Sequence, residues 1–345
     1  MSRKDDHVNH ALEQYADRGL TDFDQVSFVH HSLRSVDVAS VDYSTQIGNI
    51  RLETPFFINA MTGGSEWTKV INGKLAEVAR QTGLAMAVGS MSAAMKDASQ
   101  WDSFLIAREI NPDGIIFANL NPNYTSSDAR SAVEKLGADA IQIHVNAAQE
   151  IVMEEGDRQF SHWSDNIRDI VENSNVDVII KEVGFGMSRE TIEDLMALDV
   201  KIIDVSGSGG TDFAKIESDR QSDRRMAYLS GWGQSTVQSL LEASPYKNKI
   251  DLIASGGIRH PLDFAKAFAL GAQAVGMSGP FLNSVMNNGV EETVKRVEEW
   301  KEELARLMAL LGTTTLAELR NSKLHYSMKL ANYCRQRDIQ LHQTE

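Results

Sequence analysis

Between residues 55 and 280 short apolar runs recur, most of them ending in glycine, serine, asparagine or another small or polar residue. They are Pro55–Met61, Ala85–Ser90, Gly114–Leu120, Ala140–Val145, Asp177–Val183, Lys201–Gly207, Asp251–Gly257 and Ala274–Pro280. Continuous apolar runs of this length predict strands buried on both faces, as in a parallel sheet. The segments between them carry helical spacing. Asn72–Thr82 places Leu75, Val78 and Ala79 on one side and stops at Gly83; Ser126–Leu136 stops at Gly137, and Pro261–Leu270 at Gly271. Glycine just past a periodic segment is a helix-stop signal. Strands alternating with helices predict an α/β protein built of βα units. Eight such units suggest a closed TIM (β/α)8 barrel. The alternative, an open doubly wound sheet, is disfavoured because no Gly-x-Gly-x-x-Gly follows the first run.

Two regions break the rhythm. The link from Gly207 to Asp251 is too long for one helix and is rich in glycine and charge, the composition of a loop that covers a site. Residues 1–54 precede the barrel as an N-terminal extension, in which Val36–Thr45 alternates and predicts a strand paired outside it. Residues 290–345 read as charged helices completing the outer ring, so the barrel domain is taken as 55–345.

Composition narrows the function classes. The 345 residues are 42% hydrophobic, enough for one large core, and the net charge of −14 opposes nonspecific nucleic-acid binding. No apolar run approaches membrane-spanning length, and the polar start MSRKDDHVNH has no secretory h-region. The single cysteine, Cys334, permits neither an intrachain disulfide nor a cysteine-based metal site, and a cytoplasmic location is expected.

Barrel enzymes carry their chemistry at the carboxyl ends of the strands. The richest such end is His144–Glu150, HVNAAQE. Strand alternation puts Gln142, His144 and Asn146 on one face and Ile141, Ile143 and Val145 on the other. The first face would look into the barrel mouth, with Gln149 and Glu150 just beyond; the plainer alternative is a capped helix start with a solvated glutamate. Lys181 shares its face with Ile179 and Val183, a costly place for a cation unless it meets an anion, whether a neighbouring carboxylate or a ligand. Asn119 ends a strand in the same way and either orients a ligand amide edge or caps the next segment. Ser255–Arg259 (SGGIR) and Gly276–Pro280 (GMSGP), after the seventh and eighth runs, predict a phosphate site made of backbone N–H groups, to which Ser206–Thr211 (SGSGGT) could add donors. Glu150 with Gln149 could hold Mg²⁺ only if a phosphate completed the ligand set. His30–His31 reads as surface or packing, and Cys334 as inert.

RKDDHV at Arg3–Val8, NAMTGG at Asn59–Gly64, HVNAAQE, KEVGFG at Lys181–Gly186, SGSGGT and SGGIR occur in this order. The set resembles the type II isopentenyl diphosphate isomerases from the N-terminus through the eighth strand. The resemblance implies a TIM barrel that binds FMN and Mg²⁺, uses NADPH as reductant, and interconverts isopentenyl and dimethylallyl diphosphate without net redox change, as a homo-tetramer or homo-octamer. Carried over by motif, the flavin would meet Ala60, Met61, Thr62, Ser90, Asn119, Lys181, Ser206 and Thr211. Gly257, Ile258, Arg259, Ser278 and Gly279 would hold its phosphate. Glu150 would bind Mg²⁺, Gln149 and His144 would act at the substrate, and Arg3, Lys4 and His7 would meet the diphosphate. One departure stands out: many members read Gln-Arg after the serine matched by Ser90, whereas this chain reads Met91–Ser92–Ala93–Ala94.

Two rivals remain. An FMN-dependent oxidoreductase of the 2-hydroxy-acid oxidase type would share the flavin site. A noncatalytic binder of phosphorylated ligands would need no inward-facing His144 and Lys181.

Overall fold

A computed structural model describes residues 3–16 and 19–341 of the chain. Eight parallel strands close into a barrel: β1 Phe56–Ile58, β2 Met86–Ala87, β3 Ile116–Leu120, β4 Ala140–His144, β5 Asp177–Lys181, β6 Ile202–Asp204, β7 Asp251–Ser255 and β8 Ala274–Met277. Each lies within one of the eight apolar runs. Most of the small and polar residues that end the runs lie beyond the ladders, at the barrel mouth; Asn119 stays within β3. The helix stops also hold: Gly83 at φ 69° and Gly137 at φ 66° turn left-handed to end Glu66–Thr82 and Ser126–Leu136, a conformation that costs glycine little.

The barrel interior is layered. Phe57, Ala87, Phe117, Ala140, Ile179, Ile202, Ile253 and Ala274 fill the lower layer. Two residues further along the strands the inward positions become polar, at Asn59, Asn119, Gln142, Lys181, Asp204 and Ser255, all buried. That switch from apolar to polar at period two is what turns a packed core into a site floor. Ile141 and Ile143 face outward into the helical layer, as their alternation predicts.

The N-terminal extension does three things. Thr45–Ile47 and Ile50–Leu52 form a hairpin whose Ile47 and Leu52 plug the bottom of the barrel. Val26–Phe28 pairs antiparallel with Leu324–Tyr326. The helix Arg3–Ala16 (α1) crosses to the mouth, packing on the helices Gly279–Asn287, Glu66–Thr82 and Phe213–Asp219.

The strand expected over Val36–Thr45 does not form. Val38–Ser40 is a single 3-10 turn, Asp42 makes only an isolated bridge to Thr315, and the true strand starts at Thr45. Val41 and Tyr43 are half-buried against the core as the alternation suggests, but before Thr45 only Asp42 makes a bridge, so no ladder forms. At the other end Gly289–Leu310 and Met328–Gln336 are helices, as expected, but Leu324–Tyr326 between them is a strand.

Candidate active site

The mouth of the barrel holds a cavity of about 480 Å³, within the range of small-molecule sites. Its floor is polar and tightly bonded. Asn59 donates through Nδ2 to Asp204 Oδ2 (2.8 Å) and Gln142 donates through Nε2 to Asn59 Oδ1 (2.9 Å). Asn119 donates through Nδ2 to Gln142 Oε1 (3.0 Å), and Nδ1 of His144 lies 2.8 Å from Asn119 Oδ1. The Lys181 ammonium donates to Ser206 Oγ (2.9 Å) and to the Glu182 carbonyl (2.7 Å), and stands 3.6 Å from Asp204. Asp204 also accepts from Ser255 Oγ (2.6 Å). The anion that Lys181 needs is therefore partly supplied by the protein, and its side chain still lines the cavity.

Above β6, β7 and β8 the wall is bare backbone. Gly256 and Gly257 hold φ of 90° and 71°, and a Cβ on Gly256 would overlap the Gly207 carbonyl oxygen. Gly209 and Gly257 approach so closely that a Cβ on either would sit 3.2–3.3 Å from backbone of the other. The helix Gly279–Asn287 opens here with Pro280 in its first turn. Unshielded N–H groups beside a helix N-terminus suit a phosphate, and the residues fit the phosphate end of FMN. Ala60, Met61, Ser90, Asn119 and Lys181 line the space below it and fit the flavin ring.

A second part of the lining is built from α1, Ala147–Val152 and Phe213–Asp219. Glu217, 1% exposed, lies 2.9 Å from Nε2 of His7 and accepts from Gln149 Nε2 (2.8 Å) and Arg220 Nη1 (2.5 Å). Burial pushes the Glu217 carboxyl up, but His7, Gln149 and Arg220 outweigh it and hold the group at about 2. Gln14 locks α1 to the covering loop by donating to the Asp212 carbonyl (3.1 Å) and accepting from the Asp212 N–H (2.8 Å). Glu150 accepts from Asn146 Nδ2 (2.8 Å) and from the Asp157 N–H (2.9 Å). Asn146 Oδ1 beside it is buried without a hydrogen-bond partner. Among the described residues no three His, Cys, Asp or Glu side chains group as a metal site. Glu150 and the orphaned oxygen thus fit a hard cation only if a ligand phosphate supplies the remaining oxygens.

Most residues singled out by sequence meet in this cavity: Lys4, His7, Ala60, Met61, Ser90, Asn119, His144, Gln149, Glu150, Lys181, Ser206, Thr211, Gly257, Ile258, Arg259, Ser278 and Gly279 all line it. Thr62 does not. It is buried behind the wall, its carbonyl accepting from the Gly89 N–H (2.9 Å) and Asn72 Nδ2 (3.2 Å). Arg259 reaches the wall, yet its guanidinium is bonded to Asp24 (2.9 and 2.7 Å) and Asp263 (2.9 and 3.2 Å), which leaves the glycine backbone as the main anion donor there. The side chain of Arg3 lies outside the described residues. Sequence reasoning missed Glu217, Asp204, Asn59 and the cavity-lining Lys96, Asn121, Asn123 and Tyr124. Lys96 sits one turn beyond the place of the missing arginine, on the helix Ser92–Lys96, and that one-turn spacing was the available signal.

Burial, with the charges of Lys4 and Lys181, pushes the His144 imidazole down to about 3. Its unfolded value is about 6.5, so the unfolded chain binds more protons between these limits. The stability His144 contributes is present above pH 6.5 and lost as pH falls toward 3, at no more than about 1.4 kcal/mol per pH unit. Denaturant midpoints of wild type and His144→Gln between pH 7 and 5 should show a shallower slope for the variant.

Residues 102–326 match the FMN-dependent dehydrogenase family. Over 340 residues, 99% of this chain and 97% of the relative, the sequence is 51% identical to an isopentenyl-diphosphate delta-isomerase of Staphylococcus haemolyticus. It is 49% identical, at the same coverage, to the enzyme of that name from Staphylococcus aureus. Among solved structures, a flavocytochrome b2 mutant aligns with TM-score 0.69 and 22% identity over 97% of this chain and 89% of that one. A mandelate oxidase mutant aligns with TM-score 0.66 and 17% identity over 93% and 92%. At such identities these two structures speak for the shared barrel alone.

Proposed function

The chain belongs to the isopentenyl-diphosphate delta-isomerases, built on the barrel of the FMN-dependent dehydrogenases, and from that premise we propose that it interconverts isopentenyl and dimethylallyl diphosphate with no net redox change. The observation that favours this over an oxidase of small hydroxy acids is that the cavity is lined, besides its glycine backbone, by a second set of groups suited to a phosphorylated ligand. The glycine backbone above β6–β8 serves the cofactor phosphate. Lys4, His7, Gln149 and Glu150, which also line the cavity, are suited to a diphosphate and its cation. A small hydroxy acid would need only one anion pole beside the flavin.

Moving an unactivated double bond requires a proton added at one carbon and removed from another, and reduced FMN supplies that acid–base chemistry at the carbon face. The chain's own groups do the rest. Lys181, braced by Ser206 and Asp204, provides the cation for the reduced ring's negative charge. Glu150 would hold Mg²⁺, which would offset the negative charge of the substrate's diphosphate. Gln149, fixed through Glu217, positions the substrate, and Lys4 and His7 on α1 close over it, excluding water from the reacting carbons. NADPH is the proposed reductant and a homo-oligomer the proposed assembly. Among the described residues no helix is long and apolar enough to cross a membrane, and a cytoplasmic location is proposed.

The test is anaerobic turnover after a single round of reduction. Isopentenyl diphosphate in D₂O should give deuterated dimethylallyl diphosphate over many turnovers with no stoichiometric loss of NADPH. One NADPH consumed per product, or full activity with oxidised flavin, would move the protein to the oxidoreductase reading.

A further inference from the structure

We propose that Asp204, a carboxylate that does not reach the cavity, sets the tautomer of His144 through a chain of three side-chain amides, so that the ring nitrogen left for the cavity, Nε2, is a hydrogen-bond acceptor. Asp204, Asn59 and Gln142 are 0%, 1% and 0% exposed, and none of them belongs to the cavity wall. Their path to His144 runs through Asn119, while Asp204 also touches the cavity-lining Lys181, Ser206 and Ser255, so the tautomer rather than activity is the readout specific to the chain of amides.

The direction of the chain follows from its first member. An amide can face its neighbour with nitrogen or oxygen, but the Asp204 oxygens have only donors around them. Oδ1 accepts from Ser255 Oγ (2.6 Å) and the Ser206 N–H (3.2 Å), and Oδ2 lies 2.8 Å from Asn59. Asn59 must therefore turn its nitrogen to Asp204. The Ala60 N–H, pointing at Asn59 Oδ1 (2.8 Å), favours the same orientation without the charge that Asp204 brings. That oxygen then accepts from Gln142 Nε2, Gln142 Oε1 accepts from Asn119 Nδ2, and Asn119 Oδ1 is left to face Nδ1 of His144 at 2.8 Å. An oxygen so placed needs a donor, and the proton of the ring belongs on Nδ1.

Flipping any one amide would set nitrogen against nitrogen or oxygen against oxygen, in a buried layer where no water can repair the mismatch. The whole chain would have to flip together, ending with an amide oxygen against the Asp204 carboxylate. In the neutral ring Nδ1 therefore holds the only proton. His144 is thus not a third cation beside Lys4 and Lys181. It accepts a hydrogen bond from a donor in the cavity, a ligand N–H or O–H or a water. The tautomer stands on the geometry alone; what the acceptor serves rests on the proposed isomerase reading.

The experiment is nitrogen-15 NMR of histidine-labelled protein, with and without flavin, the His144 signals assigned by their loss in His144→Gln. The wild type should show one neutral tautomer with the proton on Nδ1 from pH 6 to 8. A proton on Nε2, or a doubly protonated ring, would overturn the proposal. In Asp204→Asn the first member can donate as well as accept, so the chain can run either way and His144 should become a mixture of tautomers. Gln142→Met, which cuts the chain in the middle, should do the same and stands in if Asp204→Asn fails to fold. Activity should fall at least about tenfold, carried by kcat more than by KM, as for other outer groups that orient an active residue. Retention of the wild-type tautomer in both variants would sink the role of Asp204. The tautomer is read without substrate, so an inactive protein with the proton on Nδ1 would count against the isomerase reading alone. An active isomerase with the proton on Nε2 would count against this one alone.

Discussion

Replacing Gly256 by alanine should yield a folded protein that no longer holds its flavin. Gly256 sits at φ 90°, where a side chain is strained whatever the space. The added Cβ would also overlap the Gly207 carbonyl oxygen. Neither atom can step aside cheaply. The Gly207 N–H donates to the Ser255 carbonyl at 3.0 Å, and Thr236 Oγ1 donates to the carbonyls of both Ser255 (2.6 Å) and Gly256 (2.7 Å). The loops after β6 and β7 must separate, and they form the phosphate cradle. A loss of only about 1.4 kcal/mol lowers affinity tenfold, and this displacement should exceed that. Gly231→Ala is the control: its φ is 76°, but a Cβ there meets nothing within 4 Å, so strain alone should leave flavin content near wild type. Flavin absorbance per protein chain, with circular dichroism to confirm the barrel, decides it. Full flavin content in Gly256→Ala would remove the glycine loops from the phosphate site.

The barrel was legible because its signal is local and repeated. Phe57 then Asn59, Phe117 then Asn119, Ile179 then Lys181 each place a polar residue two positions after a core residue, and strand geometry brings both to the same face. Lys181 was found this way, and His144 from the polar face it shares with Gln142 and Asn146. Glu217 was not, because in Phe213–Asp219 it reads as one more charged helical residue. Only the docking of that helix against α1 and Ala147–Val152 turns it inward to His7 and Gln149. Asp204 escaped for a related reason. It was visible in the sixth strand, but its partner Asn59 lies 145 positions away, and barrel closure alone brings them together. Arg259 shows the reverse. A cation beside two glycines reads as a phosphate ligand, and Arg259 does line the cavity, but the sequence could not show that the fold also delivers Asp24 from the N-terminal extension to its guanidinium. Val36–Thr45 had the right period and half-buries Val41 and Tyr43, but no neighbouring strand edge is there to pair with it beyond the single bridge at Asp42.

Glu150→Gln should abolish turnover while leaving the flavin bound. Glu150 is 8% exposed, and its two oxygens already accept one hydrogen bond each, from Asn146 Nδ2 and the Asp157 N–H. A carboxylate has about four lone-pair sites, so a cation can be met without breaking either contact. The orphaned Asn146 Oδ1 lies in the same cluster. An amide removes the charge, and whichever way it turns, its NH₂ opposes a donor, Asn146 Nδ2 or the Asp157 N–H. Activity should drop at least about a hundredfold, and added Mg²⁺ should not restore it. Glu150→Asp, which keeps the charge on a shorter stem, should retain part of the activity with a raised Mg²⁺ requirement. Because no three acidic or imidazole groups cluster among the described residues, calorimetry should find no tight Mg²⁺ binding to the wild-type holoenzyme alone. Binding should appear when inorganic diphosphate is added, and should be absent with diphosphate in Glu150→Gln. Unchanged Mg²⁺ dependence in Glu150→Gln, or tight Mg²⁺ binding without diphosphate, would take the metal away from Glu150.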